Sequence, residues 1–262
     1  MKDPIASLKT KRILVALDSS ACGQAALQAA VLLATSIRAE LEGLFVEDED
    51  LVRLAGLPFA REIDVTSAST RPLQVADMER ELRAVSEKTE KAFARALQQL
   101  DLAWKVRTIR GAIVRASLDA AGDADMLVIG QHGRSSRGIA ADYLARTTAR
   151  RDGVVAVFDG SNSAFRAIEL GQTLARANST ALTVLVLSSE GEEDAAKCAV
   201  WLQQHSIHAE IDRSLSATDD ALIQYVRKFT PGLLLINRDS RYLNESNVCE
   251  IINQFDCPLI LC

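Results

Sequence analysis

One segment of the chain is written twice. Ile13-Leu14-Val15-Ala16-Leu17-Asp18-Ser19-Ser20, followed by GQAALQAAVLLATS, returns as Val154-Val155-Ala156-Val157-Phe158-Asp159-Gly160-Ser161, followed by AFRAIELGQTLARA. Aligned on Asp18 and Asp159, Ser20 falls on Ser161, Ala26 on Ala167, Leu33 on Leu174, Ala34 on Ala175, Leu41 on Leu182 and Leu44 on Leu185. A repeat constrains the fold before any single residue does, because both copies must build the same unit. In each copy a short β-branched run gives way to a helix of 3.6-residue period and then to a second strand, over 41–46 or 182–187. This is the βαβ pattern, and such units form parallel sheets.

Each copy then continues as helix, strand, helix, strand. The first is expected to place helices over 75–100 and 112–121 and strands over 104–109 and 126–129. In the second, helices are expected over 193–205 and 219–229, with strands over 207–211 and 233–236. The pattern predicts an α/β protein of two tandem doubly wound, Rossmann-like repeats with mainly parallel sheets, spanning 10–152 and 153–262. The second copy is shorter, chiefly because it lacks the connection EDEDLVRLAGLPFAREIDVTSASTR over 47–71. That connection is long for a loop and is expected to be a lid over a site or a mobile segment. Between the helix ADYLARTTARR and the helix beginning at Ser163 there is one strand-like run, 154–158, which belongs to the second copy. The first copy is therefore expected to lack its fifth strand. An uncovered edge invites pairing, so a homodimer is expected through that edge or through a strand over 258–261.

Composition narrows the partners. A chain of 262 residues, 48% hydrophobic and 25% charged, is ordinary globular material. Its net charge of -5 argues against general nucleic-acid binding, which needs a basic footprint. The five cysteines are odd in number and contain no CxxC pair, and the N-terminus MKDPIASLKTKR has no apolar signal core. A reducing, cytoplasmic setting is expected. No apolar run approaches the roughly 20 residues of a membrane helix, so no membrane partner is expected.

The run 126–129 leads into Gly130-Gln131-His132-Gly133-Arg134-Ser135-Ser136-Arg137-Gly138. Glycines let backbone N–H groups approach a phosphate closely, and a following helix N-terminus adds a favourable dipole. With two strand-Asp repeats and a GxxG after the fourth strand, the chain resembles the tandem universal stress protein family over 11–262. The closing Cys257-Pro258-Leu259-Ile260-Leu261-Cys262 resembles that family's last strand. The resemblance implies an adenine-nucleotide-alpha-hydrolase-like fold and an ATP site, with Mg accompanying the nucleotide. Ala16, Asp18 and Val46 would face the nucleoside, and the phosphates would lie over Gly130, His132, Gly133, Arg134, Ser135 and Ser136. The family's G-x2-G-x9-G-S/T stretch is interrupted: Tyr143 and Leu144 stand where Gly and Ser or Thr belong. Losing one or two charge-assisted hydrogen bonds of about 1.5–3 kcal/mol each weakens binding roughly ten- to several-thousand-fold. Ser135, Ser136, Thr147 and Thr148 offer hydroxyls, and Arg134, Arg137, Arg146, Arg150 and Arg151 offer charge. The same arginines would equally serve to solvate a helix face.

The second copy has Asn237-Arg238-Asp239-Ser240 in place of the GxxG. Its Asp159-Gly160-Ser161 suits a turn and helix N-cap, and Asp18-Ser19-Ser20 carries both that reading and a nucleoside role at the carboxyl end of a strand. Glu47-Asp48-Glu49-Asp50 suits either a divalent ion or a solvated acidic loop. No cysteine or carboxylate pattern makes a zinc site around His205 and His208, and His132 is either an acid–base group or a polar loop residue. Neither a Walker A sequence nor a GxGxxG is present. The expected function is a non-enzymatic stress-response sensor or regulator with a degenerate adenine-nucleotide site in its first repeat. A nucleotide-free protein-interaction scaffold is the alternative. An enzyme is disfavoured, because no base, nucleophile or metal cluster can be named.

Overall fold

A computed structural model describes residues 12–17, 21–63, 69–98, 100–130, 153–213, 218–229, 231–243, 245–254 and 258–262. The first repeat contains β1 (Arg12–Leu17), α1 (Ala21–Ile37), β2 (Glu40–Asp48), α2 (Glu49–Ala55), the short strands β3 (Arg61–Ile63) and β4 (Thr70–Pro72), α3 (Val75–Leu97), β5 (Trp104–Gly111), α4 (Ile113–Ala120) and β6 (Met126–Ile129). The second contains β7 (Val154–Phe158), α5 (Ala164–Asn178), β8 (Leu182–Val186), α6 (Gly191–Gln204), β9 (Glu210–Arg213), α7 (Asp219–Phe229), β10 (Leu233–Ile236), α8 (Glu245–Gln254) and β11 (Leu259–Leu261). The β6, β7 and β10 runs are buried along their whole length, as strands covered on both faces must be. Among the described residues no helix is long and apolar enough to cross a membrane.

Both repeats contribute to one nine-stranded sheet, in the order β5-β2-β1-β6-β11-β10-β7-β8-β9. All pairs are parallel except β6 with β11, which join antiparallel in the register Leu259↔Ile129, Ile260↔Val128 and Leu261↔Leu127. The second repeat therefore runs opposite to the first, and the carboxyl ends of the two strand sets lie on opposite edges of the sheet. Helices cover both faces. One core gathers Leu33, Phe93, Ile168, Leu174 and Leu202 from α1, α3, α5 and α6. The other gathers Leu222, Val226, Val248 and Ile251 from α7 and α8, with Val114 and Leu118 of α4 packed against it.

Three expectations change. The edge left bare by the first repeat's missing fifth strand is covered by the second repeat's own last strand, so neither edge expected to recruit a second copy is open. The outer edges of the sheet are β5 and β9, and β5 carries Lys105, Arg107 and Arg110, charges of the kind that resist edge-to-edge pairing. Next, the 47–71 connection is not a bare loop. It holds α2, which packs on α3, and the antiparallel pair β3–β4. Last, the strand expected over 207–211 begins later, at Glu210, because the Ile207 side chain is drawn down into the core after α6.

Candidate functional site

In a doubly wound repeat the ligand crevice lies beyond the carboxyl ends of the strands, at the point where strand order reverses. In the first repeat that point is between β1 and β6, where Ala16 stands opposite Ile129 with Gly130 next in the chain. Ala16 and Val46 have side chains only 1% and 6% exposed, and both belong to the core beneath α4 and α8. They offer a ligand no polar group. Gly130 is buried at the rim of the crevice. Asp18, His132, Gly133, Arg134, Ser135 and Ser136 lie outside the described residues, as do Tyr143 and Leu144.

The acidic run at the end of β2 and the start of α2 is committed to protein partners. Arg110 donates to Glu47 Oε2 from Nε at 3.3 Å and from Nη2 at 3.1 Å, and reaches Glu79 of α3 at 3.4 Å. Asp48 caps α2 by accepting from the Asp50 amide at 2.9 Å. Arg53 pairs with Glu49 and, at 3.4 Å, with Asp50. Among the described residues no three His, Cys, Asp or Glu side chains converge as a metal site. Glu47 thus fastens β2 to its neighbours, and Arg110 and Glu79 join it there although nothing local in the sequence marks them.

The second repeat's crevice, between β7 and β10, is bridged by its own side chains. Asp159 Oδ1 accepts from the Ser161 amide at 3.0 Å and the Ser161 hydroxyl at 2.6 Å, and Ser161 Oγ in turn accepts from the Ala164 amide at 3.3 Å. Asp159-Gly160-Ser161 is therefore the turn that leads into α5, as expected, whereas the N-cap position itself falls on Ser163, whose side chain makes no capping bond. Asn237, on the far side of the crevice and 4% exposed, donates to Ser163 Oγ at 2.5 Å. Gly160 has φ +85°, and a Cβ there would overlap the Asp194 carboxylate, which also accepts from Ser188 Oγ. Lys197 donates to the Gly160 carbonyl at 2.8 Å. Ser163, Ser188, Asp194 and Lys197 were not legible as members of this cluster, because α6 supplies two of them from a distant part of the chain. Of the loop that replaces the GxxG, Arg238 turns away from the crevice to the first repeat, donating to the carbonyls of Ala124 at 2.5 Å and Ala121 at 2.9 Å.

His205 packs on Trp201, ring centroids 4.1 Å apart, at the end of a stack that runs through Phe165 to Phe158. His208 follows it, two residues before β9 begins.

Comparison with known proteins adds the following. The model of the universal stress protein family matches residues 9–147. A universal stress protein from Archaeoglobus fulgidus DSM 4304 superposes with a TM-score of 0.51 at 13% identity, covering 97% of this chain and 98% of that one. A putative universal stress protein from Pseudomonas aeruginosa UCBPP-PA14 superposes with a TM-score of 0.46 at 12% identity, covering 99% of this chain and 94% of that one. No curated protein sequence matches the chain.

Proposed function

The chain belongs to the universal stress protein family, and from that premise we propose that it is a non-enzymatic sensor or regulator whose first repeat takes an adenine nucleotide, ATP with Mg, while its second repeat has become a structural module. The supporting observation is the difference between the two crevices. In the second, the Asn237–Ser163 bond spans the gap and the Asp194 carboxylate lies against Gly160. At the first, Ala16 and Val46 are apolar and Gly130 has no side chain, and among the described residues no side-chain bond spans the gap. The carboxylates that would repel phosphates are drawn onto Arg110 and Arg53.

Calorimetry with ATP and MgCl2 tests this reading. Wild type and Asn237→Val bind alike, whereas Gly133→Val, which brings a β-branched side chain where close phosphate approach is needed, abolishes binding. Equal binding by the Gly133 variant overturns the placement. No heat and no thermal shift at millimolar ATP in the wild type means that Tyr143 and Leu144 have removed the site, and the protein is then a nucleotide-free interaction scaffold.

A further inference from the structure

Of the ten large hydrophobic side chains that stand exposed among the described residues, six fall within 51–75: Leu51, Leu54, Leu57, Phe59, Ile63 and Val75. They lie on the connection that the second repeat lacks, and its folding makes them neighbours. Leu51 and Leu54 share one side of α2. The Leu57 amide donates to the Leu54 carbonyl at 3.1 Å, the Ala60 amide to the Leu57 carbonyl at 3.1 Å, and the Leu73 amide to the Ala60 carbonyl at 3.0 Å. A Cβ on Gly56 would touch the Val75 side chain at 3.8 Å. Glu62 and Arg71 stand opposite one another and line a depression beside α3, so Ile63, next along β3, faces the other way. Phe59 is 74% exposed and Ile63 60%. The six together leave about three whole side chains, roughly 400–600 Å², in water. Single exposed apolar residues need no explanation, but a patch of that size marks a contact surface.

The surroundings of the patch select its occupant. Charges at its rim are matched within the chain: Arg53 pairs with Glu49 and Asp50, Arg71 with Glu62 at 2.7 Å, and Arg80 with Asp77 at 2.9 Å. Among the described residues this leaves no positive surplus to attract an anionic lipid surface or a nucleic acid. A partner helix needs an apolar groove, and the depression beside the patch, about 310 Å³, is lined by Glu62, Arg71, Asp77, Arg80 and Glu81. An added strand needs a free ladder edge, yet β3 and β4 are three residues long and β4 contains Pro72, which has no N–H. What fits is an apolar face of similar size with a rim as evenly charged, and a second copy of the chain brings both. One side of a standard interface covers about 800 Å², a little over half of it apolar, so about 450 Å², which the patch supplies. With one such patch per chain, two-fold pairing closes at the dimer.

We propose that the connection over 51–75 is a homodimer interface, in which the face carrying Leu54, Phe59 and Ile63 packs on the same face of a second copy across a two-fold axis. Sedimentation velocity of the full chain over a concentration series tests it, without nucleotide, so that the outcome is separate from that of the first-repeat ATP site. The wild type is expected to pass from monomer to dimer with a Kd on the order of micromolar. Its unfolding temperature is expected to rise with concentration. Phe59→Glu is expected to weaken association at least about a hundredfold, because it places a charge in the apolar centre, and to unfold at a temperature independent of concentration. Ile63→Lys gives the same reading should the glutamate variant not fold. Val200→Lys, on α6 of the second repeat and at a side chain 53% exposed, is expected to dimerise as the wild type does. A wild type that is monomeric throughout the series, a dimer equally tight in Phe59→Glu and Ile63→Lys, or association lost in Val200→Lys overturns the proposal. So does a monomer that instead co-sediments with phosphatidylserine vesicles, which makes the patch a lipid contact.

Discussion

Arg107 donates from Nε to Glu42 Oε1 at 2.7 Å, across the pair formed by edge strand β5 and its inner neighbour β2, and the glutamate side chain is only 4% exposed. Lys105 at 3.4 Å and Arg12 at 3.7 Å approach the same carboxylate from either flanking strand. Glu42→Gln keeps the shape but leaves three cations gathered around a neutral group. Removing one member of a buried pair costs about 3–5 kcal/mol, reduced here because all three cations reach solvent, so a loss of about 2 kcal/mol is expected. Chemical denaturation measures it, and a glutamine variant as stable as the wild type contradicts this account.

Arg238→Met removes the two bonds by which the second repeat holds the carbonyls of Ala121 and Ala124. Charge-assisted bonds of this kind carry about 1.5–3 kcal/mol each. Global stability is expected to fall by about 3 kcal/mol, and amide exchange should quicken over 121–126 before it does so in α6. Uniform quickening everywhere argues that Arg238 does not act at the junction.

Two glycines form a matched pair. Gly160→Ala meets both the Asp194 carboxylate and a φ of +85°, and is expected to cost about 2 kcal/mol or more. Gly191→Ala has nothing within 4 Å and should change stability by less than about 0.5 kcal/mol. Urea midpoints of the two variants decide the matter by their order.

Burial pushes the Cys198 thiol up to about 11 from an ordinary 9.0, and pushes Cys262 up to about 12, the latter against the pull of Arg166 and Arg238. The folded state therefore holds these protons where the unfolded state releases them. Their stabilisation is complete below pH 9 and is lost as pH rises toward 11 and 12. The unfolding temperature is expected to decline through that window, and Cys198→Ala with Cys262→Ala should flatten part of the decline. Iodoacetamide at pH 8 should label neither thiol in the native protein.

Much of the framework could be read from the residues. The strands over 126–129, 154–158 and 233–236 stand where the apolar runs put them, because a strand buried on both faces has little other way to satisfy its pattern. Asp159-Gly160-Ser161 was legible as a turn because an Asp side chain bonding two residues on is a local matter, while the N-cap position moved to Ser163. Helix α8 was missed: in DSRYLNESNVCEIINQFD its apolar positions Val248, Ile251 and Ile252 are diluted by polar residues, and packing against α7 and α4 is what gives them a face. α2 was hidden for a similar reason, being seven residues long and anchored by Ala55 and by the Asp48 cap.

The sites were less legible than the fold. Ala16 and Val46 were found from strand ends, while their burial among side chains of α4 and α8 depends on packing between distant segments. The antiparallel union of β6 and β11 joins segments far apart in the chain and leaves no periodic trace.

The pairing of Leu127–Ile129 with Leu259–Leu261 also sets a timetable for synthesis. At ribosomal speeds of about 5–20 residues per second, β6 emerges roughly ten seconds before its neighbour exists. During that interval the nascent first repeat has its four strands but carries Val128 and Ile129 on a bare flank, and a translation product stopped before β11 would keep that flank for good. Chaperone occupancy is therefore expected to begin after β6 leaves the exit tunnel and to end only when β11 does.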